Sequence, residues 1–186
     1  MPSAEFPDLH QAIAAAAAGD AILLAPGIHT LTESLMLTKP LQIIGGSNAK
    51  ESAVLESTDV CVLKVQQALG VRLRNLTFRI TGEASPTVEP AAEARPAQAD
   101  ECVLVQTGSV LMERCTISSS VGRGITIFNS RATLNHCTIC DCSRSAVLVK
   151  GNSTYVTFND NKIFNAKSGV VIFEGAEAVL NHNEVW

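Results

Sequence analysis

The sequence predicts an all-β solenoid, in which short strands form coils that stack in parallel, with one helix covering the amino-terminal end. Short apolar runs of three to five residues, each bounded by Gly, Asn, Ser or Pro, recur after residue 20 and are typical of strands. The second half of the chain also repeats every 22 to 24 residues, which allows about three strands per unit and leaves no room for a helix.

The first predicted element is a capping helix within residues 5–19. Alanine dominates this segment, and Leu9 and Ile13 fall on one face at helical spacing. Asp8 is expected in the first turn and Gly19 is expected to end the helix. An apolar face on such a short helix predicts that it packs against the first coil.

The repeat is visible when four segments are aligned on their turns. They are VLMERCTI (110–117), ATLNHCTI (132–139), VTFNDNKI (156–163) and AVLNHNEV (178–185), with VRLRNLTF (71–78) as an earlier copy. One unit cannot bury its apolar face alone, so the coils are expected to stack with a rise of about 4.8 Å. Equivalent side chains then form columns inside the cylinder. The predicted columns are Leu73, Met112, Leu134, Phe158 and Leu180; Phe78, Ile117, Ile139, Ile163 and Val185; and, at a turn, Leu76, Cys115, Cys137, Asn161 and Asn183.

Composition excludes several classes of protein. The chain has 186 residues, of which 46% are hydrophobic and 17% charged, so it is not disordered. Its net charge of −4 argues against a nucleic-acid partner, and no uninterrupted apolar run is long enough to predict a membrane span. The first eleven residues contain no basic residue, which predicts a cytoplasmic (intracellular) protein, and its six cysteines are expected to be reduced.

The order of these elements carries a family resemblance. A helix, then GDAILLAPGIHTLTESLMLTKPLQIIGG, then coils with C-T-I or N-x-I is similar to the right-handed parallel β-helix of the pectate-lyase-like superfamily. The most similar type is the CASH β-helix, as in F-box-only ubiquitin-ligase proteins and Shc SH2-binding proteins. The resemblance implies a solenoid of about six to seven coils with an amino-terminal capping α-helix. Because the matching residues are core and turn positions, it is specific for fold and weak for function.

The expected organisation is one domain over residues 1–186. Residues 20–81 form the first coils and residues 101–186 the regular coils. Between them, residues 82–100 contain three prolines and four acidic residues, which predicts an acidic loop leaving one edge of the cylinder. This loop is interpreted either as a tolerated surface insertion or as a partner-binding segment. The last coil stops without a cap, so we expect the chain to be a fragment of a longer protein.

No catalytic residue, metal ligand or cofactor is predicted. The N-T-D, D-D, G-H-G and R-x-K motifs that the resemblance to polygalacturonases would imply are absent. Cys137, Cys140 and Cys142 form C-x-x-C-x-C, but structural zinc usually has four ligands in a closed site. Cys137 belongs to an inward column and the other two to the following turn, so all three are expected to be small buried apolar side chains.

The candidate binding residues are Arg123, Arg144 and Lys167, with Asp141 beside them. They lie in SSSVGR, CDCSRS and FNAKS, three turns that occupy nearly equivalent points on successive coils. Stacking would place the cations about 5 Å apart per coil. The strip is either a set of cations spreading into solvent or a shallow groove for an acidic peptide or an anionic saccharide.

Three functions remain open. The leading prediction is a non-catalytic module that recognises a protein or carbohydrate partner through the flank of the solenoid. The first alternative is a polysaccharide lyase or glycoside hydrolase, or a degenerate remnant of one. The second is a structural unit that self-associates end to end through its open carboxyl-terminal coil.

Overall fold

The structure is a computed structural model that describes residues 8–46, 53–59, 61–82 and 101–186. In these ranges it contains one helix, α1 (Leu9–Ala15), and strands that line three faces of a cylinder. The first face consists of β1 (Ala21–Leu23), β4 (Gln42–Ile44), β7 (Val71–Arg74), β10 (Ser109–Glu113), β13 (Arg131–Asn135), β15 (Tyr155–Asn159) and β17 (Glu177–Asn181). The second consists of β2 (Gly27–Thr30), β5 (Ala53–Ser57), β8 (Leu76–Ile80), β11 (Thr116–Ser119), the first parts of β14 (Thr138–Lys150) and β16 (Lys162–Phe173), and β18 (Glu184–Val185). The third consists of β3 (Leu35–Leu37), β6 (Leu63–Gln66), β9 (Glu101–Gln106), β12 (Arg123–Phe128) and the second parts of β14 and β16.

Every strand pairing among the described residues is parallel, and each strand between the two ends of the stack pairs with its equivalents one coil before and one coil after. The chain therefore makes about six turns of a solenoid with three strands per turn. The predicted all-β fold is confirmed, with the capping helix as the one α-helix that the described residues contain.

The predicted helix of residues 5–19 is shorter in the structure, where α1 spans seven residues and the part before Asp8 lies outside the described residues. Asp8 is the N-cap, and its side chain accepts a hydrogen bond from the backbone N–H of His10 at 2.9 Å. The helix ends because Ala16 adopts an extended conformation. Lys39 Nζ donates a hydrogen bond to the carbonyl of Ala16, so a lysine from the first coil satisfies the end of the cap.

The strand register confirms the predicted columns, but Leu180 and Val185, their members on the last coil, are 46% and 49% exposed because no described coil covers them. Leu134 pairs with Met112 on one side and Phe158 on the other, and Ile139 pairs with Ile117 and Ile163. These side chains are fully buried. Each coil contributes one residue to each column, which explains why the apolar residues repeat with the length of a coil.

The corner between the first and second faces is made by a single residue in the left-handed region of backbone space. Equivalent residues on five coils share φ values of 51° to 55°: Asn75, Arg114, His136, Asp160 and His182. Non-glycine residues seldom adopt this conformation, and Asn, Asp and His tolerate it best. The side chain of the next residue points inward, as predicted for Cys137, Asn161 and their equivalents.

The Asn and Cys side chains of this inward turn column bond from coil to coil. Asn161 Oδ1 accepts from the backbone N–H of Cys137 at 2.8 Å, and Asn183 Oδ1 accepts from the backbone N–H of Asn161 at 2.9 Å. Asn161 Nδ2 donates to the carbonyl of Leu134, and the thiol of Cys137 donates to the equivalent carbonyl of Met112. The turn residues thus satisfy buried backbone groups that the strand ladders do not reach.

The prediction that Cys140 and Cys142 lie in a turn is wrong. Both belong to β14, which continues from the second face to the third without interruption. Asp141 between them is a bulge, since Ser118 pairs with Cys140 and Ser119 pairs with Cys142. The extra residue lets the strand bend around the corner while its hydrogen-bond ladder continues.

The insertion predicted at residues 82–100 falls between β8 and β9 in the chain. Residues 83–100 lie outside the described residues. The equivalent connection one coil later, between β11 and β12, is three residues long. The corner of the coil at which the insertion occurs is therefore known. The limits of the domain and the prediction that the chain is a fragment stay predictions.

Candidate functional site

Arg123, Arg144 and Lys167 lie at one corner, where the second face meets the third, and together they are called the basic corner. Arg144 and Lys167 each directly precede a residue of the Ser145–Ser168 pair, so they occupy the same position on successive coils. Arg123 lies at the start of β12, shifted by one residue along the coil relative to Arg144. The predicted strip is therefore regular for two cations and offset for the third.

The three cations differ in their surroundings. Arg123 pairs in register with Glu101, and the nearest guanidinium and carboxylate atoms are 3.9 Å apart. Thr126 Oγ1 donates to the same carboxylate at 3.4 Å. Arg144 is half-buried and Lys167 is exposed. Glu101 thus holds Arg123 against the third face, whereas Lys167 extends into solvent.

Asp141 is exposed and is engaged by a neighbour on the next coil. Its backbone is left-handed, with φ of 53°, and Asn165 has φ of 51°. Asn165 Nδ2 donates a hydrogen bond to Asp141 Oδ1 at 3.1 Å. The two left-handed residues therefore lie opposite each other at the end of the second face, and Asp141 is three residues before Arg144.

A concavity on the outer surface of the first face escaped sequence reasoning. It is called the first-face groove and is lined by Gly70, Arg72, Ser109, Leu111, Arg131 and Thr133. The sequence contained one signal, the arginines of VRLR and of the RAT segment, which alternate with inward residues. The groove itself arises only because β7, β10 and β13 are neighbours in the sheet.

The six cysteines are free and buried. Burial, followed by the nearby Glu101 carboxylate, raises the pKa of the Cys61 thiol to about 12, and burial raises the pKa of Cys142 to about 11. Burial also raises the pKa of Cys115 well above its ordinary value. The thiols of Cys61, Cys115 and Cys142 are therefore protonated at neutral pH and are poor nucleophiles in the folded protein.

Two observations concern ions and membranes. Within the part of the chain that the structure describes, no group of three or more His, Cys, Asp or Glu side chains is placed to bind a metal ion. In those same ranges no helix has the length and apolar character that crossing a bilayer requires.

Stacked parallel coils, three faces and an inward ladder of Asn and Cys define a parallel β-helix protein. A family model described as "Right handed beta helix region" matches residues 69–185, and the chain belongs to this family. The chain is also similar to the F-box protein dre-1 of Caenorhabditis elegans, with 24% identity over 144 residues. That alignment covers 72% of this chain and 15% of the relative, so the chain spans about a seventh of the length of that protein. No solved structure matches the chain.

Proposed function

We propose that the chain is a non-catalytic interaction module that binds an acidic segment of a partner protein at the basic corner. The observation that carries this proposal is the alignment of Arg144 and Lys167 on successive coils, with Arg123 one coil earlier. Strands on neighbouring coils are about 4.8 Å apart, so cations at equivalent positions repel unless an anion lies among them.

The geometry favours an extended ligand that runs across the coils. Lys167 is exposed and Arg144 occupies the equivalent position on the coil before it, so these two residues are proposed to contact the ligand, with Arg123 held beside Glu101. Asp141 is proposed to position the corner through its bond to Asn165 and to repel ligands that approach along the second face. Every second side chain of an extended peptide points to the same side, so carboxylates at alternate positions can contact such a strip repeatedly.

The family and the relative both support an interaction role for the chain. A β-helix displays long, rigid flanks, and the relative is named as an F-box protein, which fits the resemblance to F-box-only and Shc SH2-binding proteins. The free thiols are consistent with the predicted intracellular location, because disulfides are rare in reducing compartments. The identity of the partner and the compartment are part of the proposal.

The test uses a fluorescein-labelled decapeptide of alternating Glu and Ser, with binding followed by fluorescence anisotropy. The double variant Arg144→Gln/Lys167→Gln is expected to weaken binding at least fivefold. The matched control is Arg114→Gln, which removes an exposed arginine from the corner between the first and second faces and should change binding less than twofold. Equal binding by the double variant and the wild type would refute the proposal.

Each of the other predicted functions has an experiment of its own. Polygalacturonate in place of the peptide tests saccharide recognition, and the appearance of unsaturated products with calcium would establish a lyase. A mass that rises with concentration in light scattering would establish end-to-end self-association. Each of these outcomes, with no binding of the acidic peptide, would replace the proposed function.

A further inference from the structure

The first-face groove lies on a different face from the basic corner, and its side chains provide hydrogen-bond donors without an acid. Its rim and floor place two arginines, Arg72 and Arg131, around two hydroxyls, Ser109 and Thr133. None of the groove-lining residues is Asp or Glu. A concave site that presents only positive charge and hydroxyls at its polar positions is suited to an anion.

The register explains why the two arginines face each other across the groove. Arg72 pairs with Leu111, and Leu111 pairs with Thr133. Two residues before Leu111 and Thr133 on the same two strands, Ser109 pairs with Arg131. Arg72 and Arg131 therefore lie diagonally opposite each other across the three strands. They are two strand spacings apart, which is about 10 Å along the stack. Both arginine side chains are exposed, and both are long enough to lean toward Ser109 on the middle strand.

Gly70 opens the floor of this groove. It lies beside Ser109, and its backbone N–H donates to Ser109 Oγ at 2.7 Å. Its φ is +84°, and a Cβ added there would have no atom within 4 Å, so the position faces open space. Because Ser109 Oγ accepts from Gly70, the hydroxyl proton of Ser109 remains to be donated to a ligand.

Neither arginine is neutralised by the described part of the chain. Arg72 and Arg131 form no hydrogen bond or ion pair with a described side chain, in contrast to Arg79, which is bound to Glu56. Glu113, the acid on the middle strand, pairs in register with Arg74. Two positive charges thus remain around the groove in a protein whose net charge is −4.

We propose that the first-face groove binds a phosphoryl group carried by a phosphorylated serine or threonine of a partner protein. Phosphate carries about −1.5 to −2 charges at pH 7 and three strong acceptor oxygens, which match two guanidinium groups and two hydroxyls. A carboxylate has one negative charge and two oxygens, so it would leave part of this donor set unused. The site is independent of the basic corner, because a different face and different residues form it.

The test uses a fluorescein-labelled decapeptide of Gly and Ala with one central phosphoserine, and the same peptide with serine. The phosphopeptide is expected to bind at least tenfold more tightly than the serine peptide. The double variant Arg72→Gln/Arg131→Gln should lose at least tenfold in affinity, whereas Arg114→Gln should change it less than twofold. Circular dichroism and the melting temperature report whether each variant is folded.

Three arms decide the source and the site. Inorganic phosphate at millimolar concentration should displace the phosphopeptide, and binding should weaken from pH 7.5 to pH 5.0 as the phosphate gains a proton at a pKa of about 6. The basic-corner variant Arg144→Gln/Lys167→Gln should retain phosphopeptide binding within twofold, which separates this inference from the proposed function. Equal affinity for the two peptides, or full phosphopeptide binding by a folded Arg72→Gln/Arg131→Gln variant, would overturn the inference.

If a single Arg131→Lys change abolishes binding as completely as Arg131→Gln, the planar fork of arginine is required. Partial retention by lysine would instead show that charge supplies most of the attraction, and either result supports a site at Arg131.

Discussion

Asn161 Oδ1 accepts a hydrogen bond from the backbone N–H of Cys137 at 2.8 Å, so a side chain of one coil satisfies the backbone of the coil before it. The same amide donates to the carbonyl of Leu134 and to Asn183 Oδ1, both at 2.9 Å. Asn161 is fully buried, and three bonds from one side chain therefore connect three successive coils. This relationship leads to the first prediction.

Replacing Asn161 with Ala should lower the free energy of unfolding by about 2–4 kcal/mol, because it leaves a buried N–H and a buried carbonyl without partners. Urea unfolding followed by circular dichroism measures the change. The control is Asn159→Ala, which removes an Asn that bonds to Asn135 and Asn181 on the outer surface and should cost less than about 1 kcal/mol. Equal losses for the two variants would contradict the assigned role of the buried ladder.

The inward column is expected to be more sensitive than the outward side of the same strand. Phe158 and Tyr155 both lie on β15, but Phe158 is fully buried and Tyr155 is 44% exposed. Phe158→Ala should destabilise the protein by about 3–5 kcal/mol through lost burial and a cavity, whereas Tyr155→Ala should cost less than about 1 kcal/mol. Thermal and urea unfolding test this, and a small effect of Phe158→Ala would mean that the register of β15 is wrong.

The left-handed corner should reject β-branched side chains. His136 has φ of 53°, a conformation that Asn tolerates and Val does not. His136→Val should therefore lower stability by about 1–3 kcal/mol, and His136→Asn should stay within about 0.5 kcal/mol of the wild type. The side chain is exposed, so lost packing does not confuse the comparison. If both variants were equally stable, the corner would not impose this backbone conformation.

Stability should fall at high pH because of the buried thiols. The pKa of Cys61 is raised to about 12 by burial and then by Glu101, from an ordinary value of 9.0. Because the pKa is higher in the folded state, the stability that the protonated Cys61 thiol contributes is fully present below pH 9. That stability is lost as the pH rises toward 12. The Cys61→Ser variant does not titrate there and keeps a donor for the carbonyls of Leu63 and Cys102.

Between pH 7 and pH 10.5 the wild type should lose about 2 kcal/mol more stability than Cys61→Ser, since one proton contributes about 1.4 kcal/mol per pH unit above pH 9. Urea midpoints at the two pH values provide the comparison. Between pH 5 and pH 7 the same pair of proteins should show no difference in slope. Identical alkaline losses for wild type and variant would show that Cys61 does not titrate in this range.

Sequence periodicity alone predicts the columns of the core. A repeat of 22 to 24 residues assigns one residue per coil to each column, and the strand register confirms Leu134 beside Met112 and Phe158. It also predicted that Cys137 and Asn161 face inward. These features follow from local periodicity, since side chains on a strand alternate and equivalent positions on identical coils must stack.

The surroundings of the candidate sites follow from the tertiary structure. Three features of the basic corner depend on the register between separate coils. Glu101 pairs with Arg123, Asp141 is a bulge that Asn165 holds, and β14 continues through the corner. The first-face groove depends on this register as well, because Arg72 and Arg131 are nearly sixty residues apart in the chain and meet only where three strands pair. Periodicity states which way a side chain points, but the outward neighbours of that side chain come from other coils, and long-range pairing alone brings them together.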